Sequence, residues 1–188
     1  MSRKRVFALL AVSLLVLAPA ARSSGFLIYE HGAAAMAMAG AFTSLAKDPS
    51  AIWHNPAGLA FLDGTRIMGG ATFIVPSGSV TFPDYPGAPK YDQVHKLFYP
   101  PNLYVSHKVS DRVAVGLGVT SPFGLGIEWP DPENFPWRFL GTKSDMVTFN
   151  VNPTVAVKLS ERFSLGAGVS FVFSKLTQSQ VQLMPMGE

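Results

Sequence analysis

Alternation with a period of two residues dominates the second half of the chain. From Arg162 to Lys175, Phe163, Leu165, Ala167, Val169, Phe171 and Phe173 alternate with Ser164, Gly166, Gly168, Ser170 and Ser174. Val113, Val115, Leu117 and Val119 alternate with Ala114, Gly116, Gly118 and Thr120. Phe149, Val151, Pro153, Val155, Val157 and Leu159 do the same against Asn150, Asn152, Thr154 and Lys158. Successive side chains of a strand point to opposite faces, so each run carries one greasy face and one small or polar face. Two weaker runs, about Thr65 to Pro76 and Phe98 to Lys108, bring the expected number of strands to about five, as one single strand and two hairpins. Lengths of this order match the ~9–11 tilted residues with which a strand crosses a bilayer.

The connections are of two kinds. Lys108-Val109-Ser110-Asp111-Arg112-Val113 and Lys158-Leu159-Ser160-Glu161-Arg162-Phe163 are near copies, each a tight polar turn between alternating runs. Ser77 to Lys96 and Ser121 to Asp145 are long and rich in Pro and Gly, the second holding Trp129, Phe135, Trp137 and Phe139. In an outer-membrane barrel the short turns face the periplasm and the long loops the exterior. A secreted soluble β-sandwich has similar turns, but its outward face is polar rather than Phe and Leu.

The first residues set the compartment. Arg3, Lys4 and Arg5 precede an apolar run from Val6 to Ala18, and Ala18-Pro19-Ala20 offers a small-residue cleavage site. That is the pattern of a secretion signal over 1–24, cut near residues 20–24, and the run is short of the ~20 residues a spanning helix needs. The formal charge of +3 includes those basic residues, so the mature chain is close to neutral and its charge does not point to nucleic acid. Cysteine is absent, only 14% of residues are charged, and 48% are apolar. An exported apolar chain with no second run long enough for a spanning helix points to membrane strands.

Motifs for chemistry are missing. His31, His54, His95 and His107 are scattered without ligand spacing, and without cysteine no metal or zinc site is expected. Gly116 and Gly118, or Gly166 and Gly168, lack the third glycine and helix of a phosphate loop. Asp131, Glu133, Asp145 and Glu161 fall in loops or turns with no partner for acid–base work. The expectation is therefore no enzyme and no cofactor.

Residues Gly25 to Leu62 do not alternate. Gly32 to Ala46 is a run of small apolar residues, too short to span and without the polar face of a surface helix. Such a segment is better buried, and a barrel lumen is the place for it. Asp48 and Ser50 are candidate turn caps, Asn55-Pro56 stiffens a turn, and Gly58 allows close passage.

Taken in order, Gly25-Phe26-Leu27-Ile28-Tyr29-Glu30, the Ala/Met/Gly stretch and Asp48-Pro49-Ser50-Ala51-Ile52-Trp53-His54-Asn55-Pro56-Ala57-Gly58-Leu59 resemble the N-terminal hatch of the FadL/TodX family of outer-membrane transporters for hydrophobic compounds. Pro100-Pro101-Asn102-Leu103, the Gly-rich strand Val113 to Thr120, and Ser121-Pro122-Phe123-Gly124-Leu125 resemble the family's second and third strands. The resemblance implies an all-β fold: a monomeric transmembrane antiparallel β-barrel, fourteen-stranded in the family, plugged by a luminal hatch. It implies 25–63 as the hatch and 64–188 as the N-terminal part of the barrel. Asn55, Pro56, Ala57 and Gly58 would form the hatch motif, with Phe26 and Leu27 near the ligand. A strand kink with a lateral gap would involve Gly116, Gly118, Pro122, Phe123 and Gly124, and Asn55, Pro56 and Ala57 would touch it.

The implied function is passive, hatch-gated uptake of long-chain fatty acids or aromatic hydrocarbons across the outer membrane of a Gram-negative bacterium. Its partners would be the hydrophobic solute, membrane lipid and lipopolysaccharide, without nucleic acid and without a cofactor. About five strands are fewer than the ~8 of the smallest closed barrels, so the chain reads as an N-terminal fragment. An outer-membrane structural or adhesion protein with aromatic external loops is the alternative, although an adhesin has no need of a plug. A polar-solute porin fits less well, since Gly32 to Ala46 would block its channel.

Overall fold

A computed structural model describes residues 27–29, 31–45 and 47–182. The secretion signal expected over 1–24, and Phe26, lie outside the described residues. Two short helices, α1 (Ala33–Ala37) and α2 (Ala51–His54), and a 3-10 helix, Pro56–Phe61, precede nine strand segments. These are β1 (Thr65–Ala71), β2 (Ser79–Thr81), β3 (Lys90–Asp92), β4 (Pro101–Lys108), β5 (Val113–Thr120), β6 (Gly126–Glu128), β7 (Lys143–Ser160), β8 (Phe163–Gly168) and β9 (Phe171–Ser179). No helix among the described residues is long and apolar enough to cross a membrane.

Seven segments form one antiparallel sheet in which β1, β4, β5 and β7 are neighbours in that order. Both β8 and β9 pair with β7 in a single register, Thr154 opposite Gly168 and Val151 opposite Phe171. They are one strand interrupted at Val169-Ser170, opposite Pro153. Val169 donates its N–H to the Pro153 carbonyl at 3.1 Å, but proline has no N–H to return. The wall therefore has five traversals: β1, β4, β5 with β6, β7, and β8 with β9.

Three boundaries differ from the sequence reading. The Ser77 to Lys96 connection holds the β2–β3 hairpin. Within Ser121 to Asp145, Gly126–Glu128 returns to the sheet against Lys143–Asp145. Strand β7 correspondingly begins at Lys143 rather than near Phe149, through polar residues that carry no greasy alternation. Lys96 and Lys143 bridge to Glu128 and Asp145 there at 2.9–3.4 Å, an alternating charge cluster that ties the loop bases to the sheet.

The short turns are set by the residue they share. Ser110 Oγ accepts the N–H of Arg112 at 3.4 Å, and Ser160 Oγ accepts that of Arg162 at 3.3 Å. Each serine occupies the same place in the two near-copy sequences, so the same side-chain bond closes both hairpins.

The faces of the sheet are inverted relative to a soluble protein. Ile67, Leu103, Leu117, Phe149, Val155 and Leu165 are exposed on the face away from the N-terminal segment. Asn102, Ser106, Thr120, Thr148, Asn150 and Thr154 are buried on the other face. An apolar outside and a polar, small-residue inside is how a strand wall meets lipid.

Candidate functional site

The buried face is covered by the N-terminal segment. Ala51, Ile52, Leu59, Ala60 and Leu62 make a core with Tyr104, Ala114 and Ala156 of the wall. Fully burying a side chain such as Ile52 or Leu59 stabilises by roughly 1.5–3 kcal/mol. The strand glycines make room for them. A Cβ on Gly116 would lie 2.8 Å from Ile52 Cδ1 and 3.0 Å from Leu59 Cδ1, and one on Gly118 2.9 Å from Ile52 Cγ2.

Asp48 opens this block as a local acceptor, taking the Ser50 N–H at 2.8 Å and the Ser50 hydroxyl at 2.6 Å. Ser50 thus donates to Asp48 and makes no cap bond to α2, unlike the expected capping role. Asn55 is extended, with φ −160°, and ends α2 before Pro56 starts the 3-10 helix. Its side-chain Nδ2 donates to the Thr43 carbonyl at 2.9 Å.

Pro56 and Ala57 press on strand β8. Ser164 Oγ donates to the Ala57 carbonyl at 2.9 Å, and a Cβ on Gly166 would lie 2.5 Å from the Pro56 carbonyl carbon. The Asn-Pro-Ala turn therefore packs against Ser164 and Gly166 rather than against the third wall strand. Gly116 and Gly118, for their part, sit in regular pairing with Thr154 and Asn152 and hold no kink. The absent side chains there serve the packing of Ile52.

The break lies farther along. Thr120 is opposite Asn150 and Gly126 opposite Asp145, so the five residues 121–125 face the four residues 146–149. One extra residue on one strand is a bulge, which interrupts the ladder and bends the strand. Pro122, Phe123 and Gly124 occupy it. Phe123 N–H donates to Thr148 Oγ1 at 2.9 Å, and the Thr148 hydroxyl donates to the Phe123 carbonyl, a side-chain substitute for the lost ladder bonds. The Pro122 carbonyl is taken by the N–H of Ile28 at 2.8 Å. Thus the start of the N-terminal segment, not the Asn-Pro-Ala turn, meets the break; Leu27 precedes it, half exposed.

Two histidines scattered in sequence are brought together. His31 is buried edge-on to Trp53 with ring centres 4.5 Å apart, and His54 lies edge-on to Phe42 at 5.4 Å. Both Nε2 atoms are buried without a hydrogen-bond partner. Burial, then the neighbouring His54, pushes the His31 imidazole down to about 4, and burial also lowers His54. The His31 carbonyl accepts the Tyr104 hydroxyl at 3.3 Å. The two are 23 positions apart on segments with no shared period, so the sequence pattern carries no sign of the pair. The Ala/Met run, expected to be buried, is largely exposed, with Ala35 and Phe42 buried and Met36 and Met38 exposed.

At the long-loop end, Phe82 packs edge-on against Tyr85, Tyr91, Phe135 and Trp137, and Trp129 stacks on Phe135 at 5.2 Å. Phe82 and Phe135 are buried by these neighbours. The aromatic residues of the two long connections thus bind each other.

A sheet greasy outside, polar inside, bulged at 121–125 and covered on one face by an N-terminal segment finds its counterpart among known proteins. The profile of the outer membrane protein transport protein family (OMPP1/FadL/TodX) matches residues 14–184. The chain belongs to this family. It is 28% identical over 180 residues to a long-chain fatty acid transport protein of Escherichia coli CFT073, covering 93% of this chain and 40% of that protein. It is 29% identical over 185 residues to outer membrane protein P1 of Haemophilus influenzae, covering 89% and 40%. The crystal structure of a Pseudomonas aeruginosa FadL homologue superposes with a TM-score of 0.61 at 25% identity, over 84% of this chain and 39% of that one.

The chain thus spans about 40% of the length of the relatives it matches. Membership places this FadL-family chain in the outer membrane of Gram-negative cells, and its seven-stranded sheet is part of a transmembrane antiparallel β-barrel. The family is one of transport proteins, not enzymes.

Proposed function

We propose that the full-length protein takes up hydrophobic compounds, such as long-chain fatty acids or aromatic hydrocarbons, across the outer membrane by passive diffusion gated by the hatch, residues 25–63. The observation that carries this reading is the one-residue slip at Ser121–Leu125 whose free carbonyl, on Pro122, is held by Ile28 of the hatch. A gap in a strand wall at this place opens onto lipid, and the group that closes it belongs to the movable N-terminal segment. When that segment withdraws, an apolar solute beside Phe26 and Leu27 passes sideways between Pro122, Phe123 and Gly124 into the bilayer. Moving between apolar surroundings spares the solute exposure to water, at about 25 cal/mol for each Å². The route needs no cofactor, since the gradient supplies the driving force.

In this reading the barrel acts as a monomer, with outer-membrane lipid and lipopolysaccharide around its apolar face. The long connections lie outside and the two serine-closed turns in the periplasm. Asn55, Pro56, Ala57 and Gly58 form the turn that positions the hatch. The adhesin alternative is less well supported, because it gives the hatch seated on the inner face of the wall no role. The test is uptake of oleate and toluene by the full-length protein in a strain lacking its own fatty-acid transporter, with Asn55 intact and with Asn55→Ala. Protein-dependent uptake that falls with the substitution supports the reading; no uptake of either compound by an inserted barrel refutes it.

A further inference from the structure

The hatch is held to the wall very unevenly along its length. Its second block, Ser50 to Leu62, is seated at two strands. Ile52 and Leu59 occupy the space over Gly116 and Gly118 of β5, and the Pro56–Ala57 peptide lies over Gly166 of β8. The β8 contact is backbone on backbone: a Cβ at Gly166 would meet the Ala57 nitrogen and come within 2.8 Å of the Pro56 oxygen. Ser164, two residues earlier on the same face, adds its 2.9 Å bond to the Ala57 carbonyl. Leu59 and Ala60, which follow the peptide in the 3-10 helix, are buried in the core against the wall and hold it there.

The first block, Leu27 to Leu45, is attached differently. Among the described residues its hydrogen bonds to the wall are those from Ile28 to Pro122 and from Tyr104 to the His31 carbonyl. It rests on the second block through the Asn55–Thr43 bond and two edge-on ring pairs. Two wall hydrogen bonds, a largely exposed Ala/Met run and the unpartnered His31 Nε2 mark a segment that opens at lower cost than a glycine-seated, close-packed one.

We infer that Ser164 and Gly166 are positioning residues of the hatch: they lock the Asn-Pro-Ala turn to strand β8, so that Ser50–Leu62 stays seated while Leu27–Leu45 moves. The movement part rests on the transport reading above; the seat does not. Asn55 is then the joint, fixed at its backbone by the seat and holding the movable block by its side chain.

The 188 residues contain no cysteine, so within them the introduced thiols have no native competitor, and any cysteine in the rest of the full-length protein is first replaced by serine. In the transporter-deficient strain, Ala57→Cys with Ser164→Cys should crosslink readily, and the oxidised pair, whose tether replaces the lost Ser164 bond, should take up at least as much oleate as the reduced pair. Ile28→Cys with Phe123→Cys should block uptake when oxidised and restore it on reduction. Adding Gly166→Ala to the first pair should lower its crosslink yield, and Gly166→Ala alone should lose uptake. Gly70→Ala, whose Cβ would meet Asn102 at an ordinary 3.5 Å, should change neither. Ser164→Thr should keep the uptake that Ser164→Ala loses. An oxidised 57–164 tether that blocks uptake reversibly overturns the inference, as does an unchanged crosslink yield with Gly166→Ala. If the untethered barrel takes up no oleate, the transport reading fails, and the Gly166→Ala crosslink yield still decides the seat.

Discussion

The N–H of Ile28 donates to the carbonyl of Pro122 at 2.8 Å, joining the start of the hatch to the bulge where the third wall strand leaves its ladder. Ile28 itself is almost fully buried, and its Cδ1 would lie 3.9 Å from a Cβ on Gly124. Truncating a buried Ile to Ala costs on the order of 2–5 kcal/mol where the site cannot collapse. Ile28→Ala should therefore raise amide exchange across Leu27–Phe42 by about tenfold or more, while β7 amides stay unchanged. Hydrogen exchange of the full-length barrel reads this directly.

The seat over Gly116 is a shape match between a missing and a present side chain. Gly116→Ala puts its Cβ 2.8 Å from Ile52 Cδ1, an overpacking expected to cost about 1–3 kcal/mol. Ile52→Val removes the nearest of the atoms it meets and leaves Ile52 Cγ1 at 2.9 Å and Leu59 Cδ1 at 3.0 Å. The double variant should then be more stable than the sum of the two single losses allows, by about 0.5 kcal/mol or more in a cycle of thermal unfolding measurements.

Acid should loosen the hatch. With His31 pushed down to about 4 from an ordinary value near 6.5, the unfolded hatch binds more protons than the folded one between those values. Stability from this group is thus complete above about pH 6.5 and lost as pH falls toward 4, by about 3 kcal/mol at 1.36 kcal/mol per unit. His54, also lowered by burial, acts in the same direction. The groups facing the pair are the Tyr104 hydroxyl, the Trp53 and Phe42 rings and, from farther off, Asp48. His31→Gln should flatten the acid limb in hydrogen exchange of Leu27–Phe42 measured from pH 7 to pH 4.

Pro153 should mark a weak point on the other side of the sheet. Its carbonyl accepts from Val169, and a residue with an N–H there could complete the pair that proline leaves open. Pro153→Val should merge β8 and β9 into one strand and stabilise the wall by about 0.5–1.5 kcal/mol, one ladder bond's net worth. Denaturant midpoints of the two barrels give the comparison.

These features were legible in the sequence to different degrees. Alternation alone placed the five wall traversals, their greasy and polar faces, and both serine turns, because a period of two has one structural meaning. It lost the ends of the strands: Lys143-Ser144-Asp145 pair in the sheet through backbone and ion pairs, without the apolar face that alternation detects. The family resemblance implied a kink in the third strand but spread it over Gly116 to Gly124. Glycine does two jobs there, and only the register separates the bulge at 121–125 from the packing seats at 116 and 118. The partners of the hatch were hidden because nothing in residues 50–62 specifies which distant strand receives Pro56. The aromatic loops and the His31–His54 pair are likewise products of tertiary contact.

The measurement that bears most directly on the account is oleate uptake after the extra residue is removed from the break. Deleting Gly124 together with Pro122→Val leaves four residues opposite the four of 146–149 and gives the strand back its missing N–H. In the full-length protein, inserted in the outer membrane and with amides 146–149 protected as in a continuous ladder, uptake should fall to the background of the host strain. Undiminished uptake through such a closed wall would contradict passage at this break.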